Sequence, residues 1–224
     1  MKRRNFLKFI SAFCVSFAFA NTVTTNKSIL ILGANGRIAR LVTQRLKDDK
    51  TCFLRLFARK IKRLDKFKDT NVELIEGDVL DINALKRAMQ GVDVVYANLE
   101  GDLATFAKNI IIAMQESKVK RLIWISSLGI YNEIPKDIYE KTSPYIPRHK
   151  AAAELIENSN LDYTLLRLAW LSNADEISYG ITKKGERFIN AQEYVSRKSA
   201  ADLIVRLIKN ENFGIKESFG VHRK

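Results

Sequence analysis

The amino-acid sequence predicts an α/β protein built on a doubly wound parallel sheet and folded as a single domain. Two observations lead to this prediction. Apolar runs of strand length alternate with stretches whose apolar residues recur at helical spacing through most of the 224 residues. The first apolar run leads straight into a pair of closely spaced glycines followed by a helical stretch, an arrangement typical of the first unit of such a sheet.

That first unit is predicted over residues 28–46. Apolar residues run from Ile29 to Leu32, Gly33 and Gly36 interrupt them, and apolar residues then recur at helical spacing as far as Leu46. A tight turn before a helix leaves backbone N–H groups exposed where the helix dipole favours an anion. The pattern therefore predicts a bound pyrophosphate, and an ordinary glycine turn without a ligand is the alternative.

The spacing of small residues in this turn is G-x-x-G-x-x-A. Gly33 permits the sharp turn, Gly36 lets a pyrophosphate approach the backbone, and Ala39 allows the helix to lie against the strand. The residues expected to contact the ligand here are Gly33, Ala34, Asn35, Gly36, Arg37 and Ile38.

The remaining strands and helices are predicted from the same alternation. Five further strands are expected over Thr51–Ala58, Asn71–Asp78, Val92–Ala97, Arg121–Ser126 and Asp162–Arg167. Helices are expected over Asp81–Met89 with Asp81 as N-cap, Leu103–Gln115, Ala151–Asn158 and Ser196–Ile208. No linker or repeat divides residues 27–224, so these residues are expected to form one domain. In a doubly wound sheet the ligand is expected at the carboxyl ends of the strands.

The end of the second predicted strand indicates which dinucleotide is bound. An NAD-binding protein would place an acidic residue here, on the ribose 2′-hydroxyl. The sequence has no acid between Thr51 and Leu64, and Arg59 stands near the expected position. Because a guanidinium suits a 2′-phosphate, we expect NADP, with NAD as a second possibility. A solvated basic loop is the alternative.

Polar residues also follow the other strands. Asp78, which precedes Val79, is expected to accept a hydrogen bond from an adenine amino group, with a turn or cap role as the alternative. Asn98 follows the fourth strand, and Ser126 and Ser127 end the fifth. These side chains are expected around the same ligand, with Val79 and Ser126 among its contacts.

Taken together, these motifs resemble the atypical short-chain dehydrogenase/reductase group, the NAD(P)H-binding, NmrA-like proteins. The resemblance extends over about residues 27–222 and rests on Gly33–Ala39, Gly77–Val79, Ser126–Gly129, His149–Glu154, Leu161–Arg167 and Val195–Arg197 with Ala201 and Asp202. It implies a Rossmann-like fold and a bound NAD(P). It does not imply one substrate, since the group contains reductases, isomerase-like enzymes and redox sensors.

The sequence departs from this group at the proton donor. Typical members place a tyrosine four residues before the catalytic lysine, but Ile146 stands four residues before Lys150 and Tyr145 stands five before it. The resemblance implies catalytic roles for Ser127 and Lys150, with Lys150 also on the nicotinamide ribose. Tyr131 is expected to replace the missing tyrosine as proton donor, and Tyr139 and Tyr145 are the alternatives. His149 is expected to be structural.

Two functions therefore stay open. The first is a reductase of a small carbonyl, quinone or flavin-like acceptor. The second is an NADP(H)-binding or redox-sensing protein without turnover, which the missing Tyr-x-x-x-Lys pattern favours.

The N-terminal residues resemble an export signal. A basic head is followed by an apolar run over Phe9–Ala20 that ends in the small-x-small pattern Ala18-Phe-Ala20. The head contains Arg3-Arg4-Asn-Phe-Leu-Lys8, similar to the twin-arginine signal, although Lys2 stands where Ser or Thr is usual. We expect export by the twin-arginine machinery and cleavage of residues 1–20 after Ala20, with a periplasmic product that has no stable membrane association. An uncleaved anchor and a chance basic-apolar head are the alternatives.

Composition narrows the choice of partners. The net charge is +13, and removal of a leader with four basic residues and no acid leaves +9. These charges are scattered without an aromatic-basic stripe, so a solvated surface and a small-molecule substrate are favoured over nucleic acid. Cys52 is the only cysteine beyond the leader, which excludes an internal disulfide, and with just two histidines no metal-ligand cluster is expected.

Overall fold

The computed structural model describes residues 27–224, in which strands alternate with helices as the sequence predicts. The leader predicted over residues 1–20 lies outside the described residues. The strands are β1 (Lys27–Leu32), β2 (Cys52–Ala58), β3 (Val72–Glu76), β4 (Val94–Ala97), β5 (Arg121–Ser127), β6 (Asp162–Leu168), β7 (Trp170–Ser172), β8 (Gly180–Thr182), β9 (Tyr194–Ser196) and β10 (Glu217–His222). The helices are α1 (Arg37–Leu46), α2 (Ile82–Ala88), α3 (Leu103–Glu116), α4 (Lys136–Thr142), α5 (Ile146–Glu157) and α6 (Arg197–Lys209), and a 3₁₀ helix spans Ile61–Phe67.

Eight of the strands form one sheet in the order β3-β2-β1-β4-β5-β6-β10-β8. Neighbouring strands are parallel except for β10 and β8, which are antiparallel. The strand order reverses between β1 and β4, and this is the switch point at which such sheets bind their ligands. The predicted fold class, a doubly wound, mostly parallel sheet in one domain, is confirmed.

Two apolar cores lie on opposite faces of the sheet, and β1 contributes to both. Ile29 and Ile31 pack toward α1 and α6, whereas Leu30 and Leu32 pack toward α2, α3 and α5. All four side chains are fully buried. Burial on both faces explains why the sequence of β1 is continuously apolar instead of alternating.

Side-chain caps set the start of several helices. The Asp81 carboxylate accepts a hydrogen bond from the backbone N–H of Ala84 at 3.0 Å, which confirms the predicted N-cap of α2. Ser196 caps α6 in the same way, through the N–H of Ser199 at 2.9 Å. The helix predicted from Ala151 begins earlier, at Ile146. The proline in the first turn of α5 is compatible with this earlier start, because its missing N–H would have no helical partner there.

The sheet contains two strands that the sequence pattern does not predict, β8 and β10. β10 lies between β6 and β8, and its residues Ser218–Val221 are buried, although no strand is predicted after the last helix. Its sequence, Glu-Ser-Phe-Gly-Val-His, has neither a continuous apolar run nor a clear alternation. Pairing with β6 and burial by the fold therefore make this segment a strand.

A buried ion pair fixes the loop after β5. The Arg167 guanidinium in β6 is fully buried and lies 2.6 Å from the Glu133 carboxylate. That carboxylate also accepts hydrogen bonds from the backbone N–H groups of Gly129 at 3.0 Å and Tyr131 at 2.9 Å. The pair thus holds the chain that follows Ser127 in one position at the edge of the sheet.

Within residues 27–224, no helix combines the length and the apolar character needed to cross a bilayer.

Candidate functional site

A cleft of about 520 Å³ lies at the carboxyl ends of β1, β2, β3 and β4, over the switch point of the sheet. Residues from the turn after each of these strands, from the end of β2 and from the first turn of α3 form its walls. They are Gly33, Asn35, Gly36, Phe57, Ala58, Arg59, Lys60, Arg63, Gly77, Asp78, Val79, Leu80, Asn98, Leu99, Glu100 and Phe106. The cleft thus brings together seven of the predicted cofactor residues: Gly33, Asn35, Gly36, Arg59, Asp78, Val79 and Asn98.

The glycine turn lies directly against Asn98. Gly33 has a φ of +71°, and a Cβ at this position would overlap the backbone oxygen of Asn98. A Cβ at Gly36 would overlap the side-chain nitrogen of Asn98. The Gly33 position therefore requires glycine, whereas a Cβ at Gly36 would have to displace the Asn98 side chain.

The turn presents the N-terminus of α1 to the cleft. Gly36 occupies the N-cap position, where no side chain of the described chain caps the helix, and the first turn contains no acidic residue. The first N–H groups of a helix have no partner within it, and its dipole places partial positive charge there. This end of α1 is therefore suited to a phosphate group.

Basic residues form the wall of the cleft beyond β2. Arg59 and Lys60 are exposed, and Arg63 lines the same wall one turn further on. Asn35 connects this wall to the glycine turn, since its side-chain amide donates to the backbone oxygen of Lys60 at 2.9 Å. The sequence indicates positive charge near Arg59 from Lys60, Lys62 and Arg63, and of these three Lys60 and Arg63 line the cleft.

The rest of the lining contains two acids, Asp78 and Glu100, and apolar side chains. Asp78 lines the cleft, and its carboxylate accepts a hydrogen bond from the backbone N–H of Leu80 at 3.0 Å. The turn role considered for this residue is therefore present, together with its position at the site. Leu99 and Phe106 provide apolar surface that the sequence pattern does not predict, because only the fold brings them beside Val79.

Other predicted residues lie outside this cleft. Ala34 and Ile38 are buried, Arg37 is exposed and lines a separate groove, and Ser126 is buried with no hydrogen-bond partner for its hydroxyl. Ser127 is half-buried at the carboxyl end of β5, where it pairs in register with Leu168.

The structure does not bring Tyr131 or Lys150 into the cleft. The Tyr131 hydroxyl donates to the Glu157 carboxylate at 2.6 Å and lies 3.3 Å from the Ser218 hydroxyl. Burial and the bond to Glu157 raise the pKa of Tyr131 well above its usual range. Lys150 is exposed on α5. Their catalytic roles stay predictions, and the placement of Tyr131 disfavours it as a proton donor.

His149 differs from its neighbour Lys150 because it is buried. Its exposed fraction is 8%, and its Nδ1 atom has no hydrogen-bond partner. Burial, assisted by the charge of Arg148, lowers the pKa of His149 to about 4. The imidazole is therefore neutral at neutral pH, in keeping with the expected structural role. No group of three or more potential metal ligands is present among residues 27–224.

The fold and this cleft define a dinucleotide-binding protein. The NAD(P)H-binding family matches residues 33–211, and the chain belongs to that family. The structural resemblance to short-chain dehydrogenases/reductases predicted from the sequence is confirmed by the similarity to solved structures.

Two of these structures show how far the similarity extends. The chain is 43% identical to a Rossmann-fold NAD(P)-binding family protein from Shigella flexneri, over 88% of this chain and 94% of that one, with a TM-score of 0.78. It is 28% identical to a short-chain dehydrogenase/reductase from Veillonella parvula solved in complex with NADP, with the same coverage and a TM-score of 0.82.

A curated relative shares sequence as well. The chain is 27% identical over 158 residues to a (4-alkanoyl-5-oxo-2,5-dihydrofuran-3-yl)methyl phosphate reductase from Streptomyces griseus. The match covers 70% of this chain and 53% of the relative. The chain therefore spans about half the length of this reductase.

The buried imidazole makes a prediction about stability and pH. Its pKa is about 4 in the folded chain against an ordinary value of 6.5, so the unfolded chain binds one more proton between these pH values. Stability from His149 is complete above pH 6.5 and is lost as the pH falls toward 4. Urea unfolding of wild type should show a loss of about 2 kcal/mol between pH 7 and pH 5 from this group.

His149→Leu is the matched comparison, because leucine fills the site and does not titrate. The variant should lack that part of the pH dependence, while the lowered carboxyl pKa values, such as that of Asp49 at about 2, act at lower pH in both proteins. Identical pH dependence of wild type and His149→Leu would contradict the assignment.

Proposed function

We propose that the protein is an NADP(H)-dependent oxidoreductase that reduces a small carbonyl, quinone or flavin-like acceptor. The observation that carries the proposal is the cleft at the switch point of the sheet. It combines the glycine turn and the uncapped N-terminus of α1 with three basic residues, Arg59, Lys60 and Arg63, on the wall beyond β2. The family assignment and the NADP complex of the Veillonella parvula protein support it.

The lining of the cleft suggests how each part of the cofactor is held. The pyrophosphate would lie against Gly33 and Gly36 at the start of α1, where the N–H groups and the dipole favour its charge. The 2′-phosphate would lie against Arg59 and Arg63, whose planar guanidinium groups suit phosphate oxygens. Leu99 would offer apolar surface to the adenine ring.

The basic wall predicts a preference for NADP(H) over NAD(H). A hydrogen bond to a charged group contributes about 1.5–3 kcal/mol, so Arg59→Ala should weaken NADP binding by about ten- to a hundredfold. Binding of NAD should change little, because NAD has no 2′-phosphate. Calorimetric titration of both cofactors measures the two affinities.

Lys62→Ala serves as the control for this titration. Lys62 is exposed on the same 3₁₀ helix as Arg63, carries the same charge and does not line the cleft. This variant should bind NADP as wild type does. Equal affinities of wild type for NADP and NAD, or an Arg59→Ala variant with unchanged NADP affinity, would contradict the assignment.

The proposed reduction takes place beside the end of β5. The cofactor, when bound, supplies a hydride from its nicotinamide ring. Ser127 would hydrogen-bond the acceptor oxygen of the substrate, and the Arg167–Glu133 pair would keep the following loop in place. Lys150 would contact the nicotinamide ribose. Since the Tyr131 hydroxyl is bound to Glu157, it is the weakest of the three predicted catalytic groups.

Two substitutions separate contact with substrate from contact with cofactor. Ser127→Ala should lower turnover by about ten- to a thousandfold, the usual loss for one donor at a reacting oxygen, with nearly unchanged NADPH affinity. Lys150→Ala should weaken both. NADPH oxidation with a panel of quinones, aldehydes and flavins measures turnover, and Lys141→Ala, on the exposed surface of α4, is the control.

A second candidate function is an NADP(H)-binding or redox-sensing protein without turnover. The exposure of Lys150 and the missing Tyr-x-x-x-Lys spacing favour it. The same assay decides between the two functions. If wild type binds NADPH tightly but none of the tested acceptors supports NADPH oxidation, the function as a binding protein is supported. A fully active Ser127→Ala variant would show that the catalytic site is misplaced.

We also propose that residues 1–20 direct export by the twin-arginine machinery, with cleavage after Ala20. This pathway reads the arginine pair through a receptor, so Arg3→Lys combined with Arg4→Lys should retain the protein in the cytoplasm although the charge is unchanged. Lys2→Arg, which also keeps the charge, should leave export intact. Cell fractionation that finds uncleaved wild type in the cytoplasm would contradict the proposal.

A further inference from the structure

A second concave site lies beside the cofactor cleft, on the face of the sheet covered by α1 and α6. This groove of about 380 Å³ receives basic side chains from α1, from the 3₁₀ helix and from the start of α6. We call it the basic groove and define it by Arg37, Arg40, Lys66, Arg197 and Lys198.

The lining of the basic groove contains no carboxylate from the described chain. Lys198 forms an ion pair with Asp175, whose side chain is 86% exposed. Arg197 donates to the uncharged oxygens of Asn173 at 2.8 Å and Leu171 at 3.3 Å. Positive charge at the groove is therefore only partly compensated by the protein.

Arg37 and Arg40 add charge from the other side of the groove. Arg40 donates to the side-chain oxygen of Asn35 at 3.0 Å, and its Nε atom is buried without a partner. Burial and the nearby guanidinium of Arg37 lower the pKa of Arg197 below its usual range. Like charges held together repel one another, and an anion between them would relieve that repulsion.

One helix end reinforces this field. Arg197 is the first residue of α6, and that helix has no acidic residue in its first turn. The partial positive charge of the α6 N-terminus thus lies close to the groove. Leu41 and Phe67 add apolar atoms to its lining, so the site offers contacts to a carbon skeleton as well as to an anion.

We propose that the basic groove binds the phosphate or carboxylate group of a small organic molecule, separately from the dinucleotide. Its position suits a second ligand, because Gly36 lines the cofactor cleft and the next residue, Arg37, lines the groove. The volume suits a small molecule rather than a protein segment. None of the proposed catalytic residues lines the basic groove, so binding there is independent of the proposed catalytic site.

Binding of three probes tests this site on the protein saturated with NADP⁺, so that the cofactor cleft is already filled. The probes are inorganic phosphate, phenyl phosphate and benzoate, and calorimetry measures the affinity of each. Arg197→Gln and Lys66→Gln should each weaken binding of the two phosphates by about tenfold or more, since each loses a charge-assisted contact. Lys62→Gln removes the same charge outside the groove and should bind the probes as wild type does.

Comparison of the probes identifies the ligand class. Tighter binding of phenyl phosphate than of inorganic phosphate supports an organic phosphate, and binding of benzoate supports a carboxylate. Absence of binding by all three probes, or binding that Arg197→Gln and Lys66→Gln leave unchanged, overturns the proposal. Equal affinity for both phosphates without benzoate binding overturns the assignment to an organic ligand.

Two further measurements keep the outcomes distinct. Thermal melting shows whether Arg197→Gln is folded. Lys66→Gln alters an exposed side chain, so the binding result for Lys66→Gln stands even if Arg197→Gln fails to fold. Titration of each variant with NADP⁺ tests the proposed function independently. Absence of NADP⁺ binding by wild type would remove the proposed function. Arg197→Gln and Lys66→Gln, compared with Lys62→Gln, would still test the anion site, because neither Arg197 nor Lys66 lines the cofactor cleft.

Discussion

The close packing of the glycine turn on Asn98 is the constraint on which the cleft depends. Gly33 and Gly36 approach the chain after β4 so closely that a Cβ at either position would overlap Asn98. This contact joins β1 and β4, the two strands at which the sheet order reverses. It also directs the uncapped N-terminus of α1 toward the cleft, so close packing of the glycine turn creates the electrostatic site for a phosphate.

The surroundings of that turn are held by polar contacts of different strength. On the exposed side, Asn35 bonds to the backbone of Lys60 and so keeps the basic wall beside the turn. On the side of β5, the pair of Arg167 and Glu133 is almost fully buried. Removing one partner of a buried pair costs about 3–5 kcal/mol, because the other charge stays buried without compensation. The loop after Ser127 is therefore held more firmly than the basic wall beside Asn35.

Much of the fold follows from local sequence. The buried run of β1, the glycine turn and the cap at Asp81 each depend on neighbouring residues, and each is predicted correctly. β10 is not, because its residues become a strand only by pairing with β6, some fifty positions earlier in the chain. The apolar and polar residues of β10 are both buried by the completed sheet, and local periodicity in the sequence does not reveal this burial.

The site shows the same division. Residues of the glycine turn and of the strand ends are predicted because parallel strands bring their carboxyl ends to one edge of a sheet. Leu99 and Phe106 belong to the cleft only through the packing of the chain after β4. The position of Tyr131 depends on Glu157, 26 residues away, so its engagement in a buried hydrogen bond could not be inferred from spacing.

A crystal structure of the protein with NADP⁺ tests the central claim most directly. We expect the pyrophosphate at the N-terminus of α1, against Gly33 and Gly36, and the 2′-phosphate between Arg59 and Arg63. Density for the dinucleotide in that position would show that the glycine turn and the basic wall act as one binding site. A 2′-phosphate directed away from both arginines, or an empty cleft at saturating NADP⁺, would contradict the account.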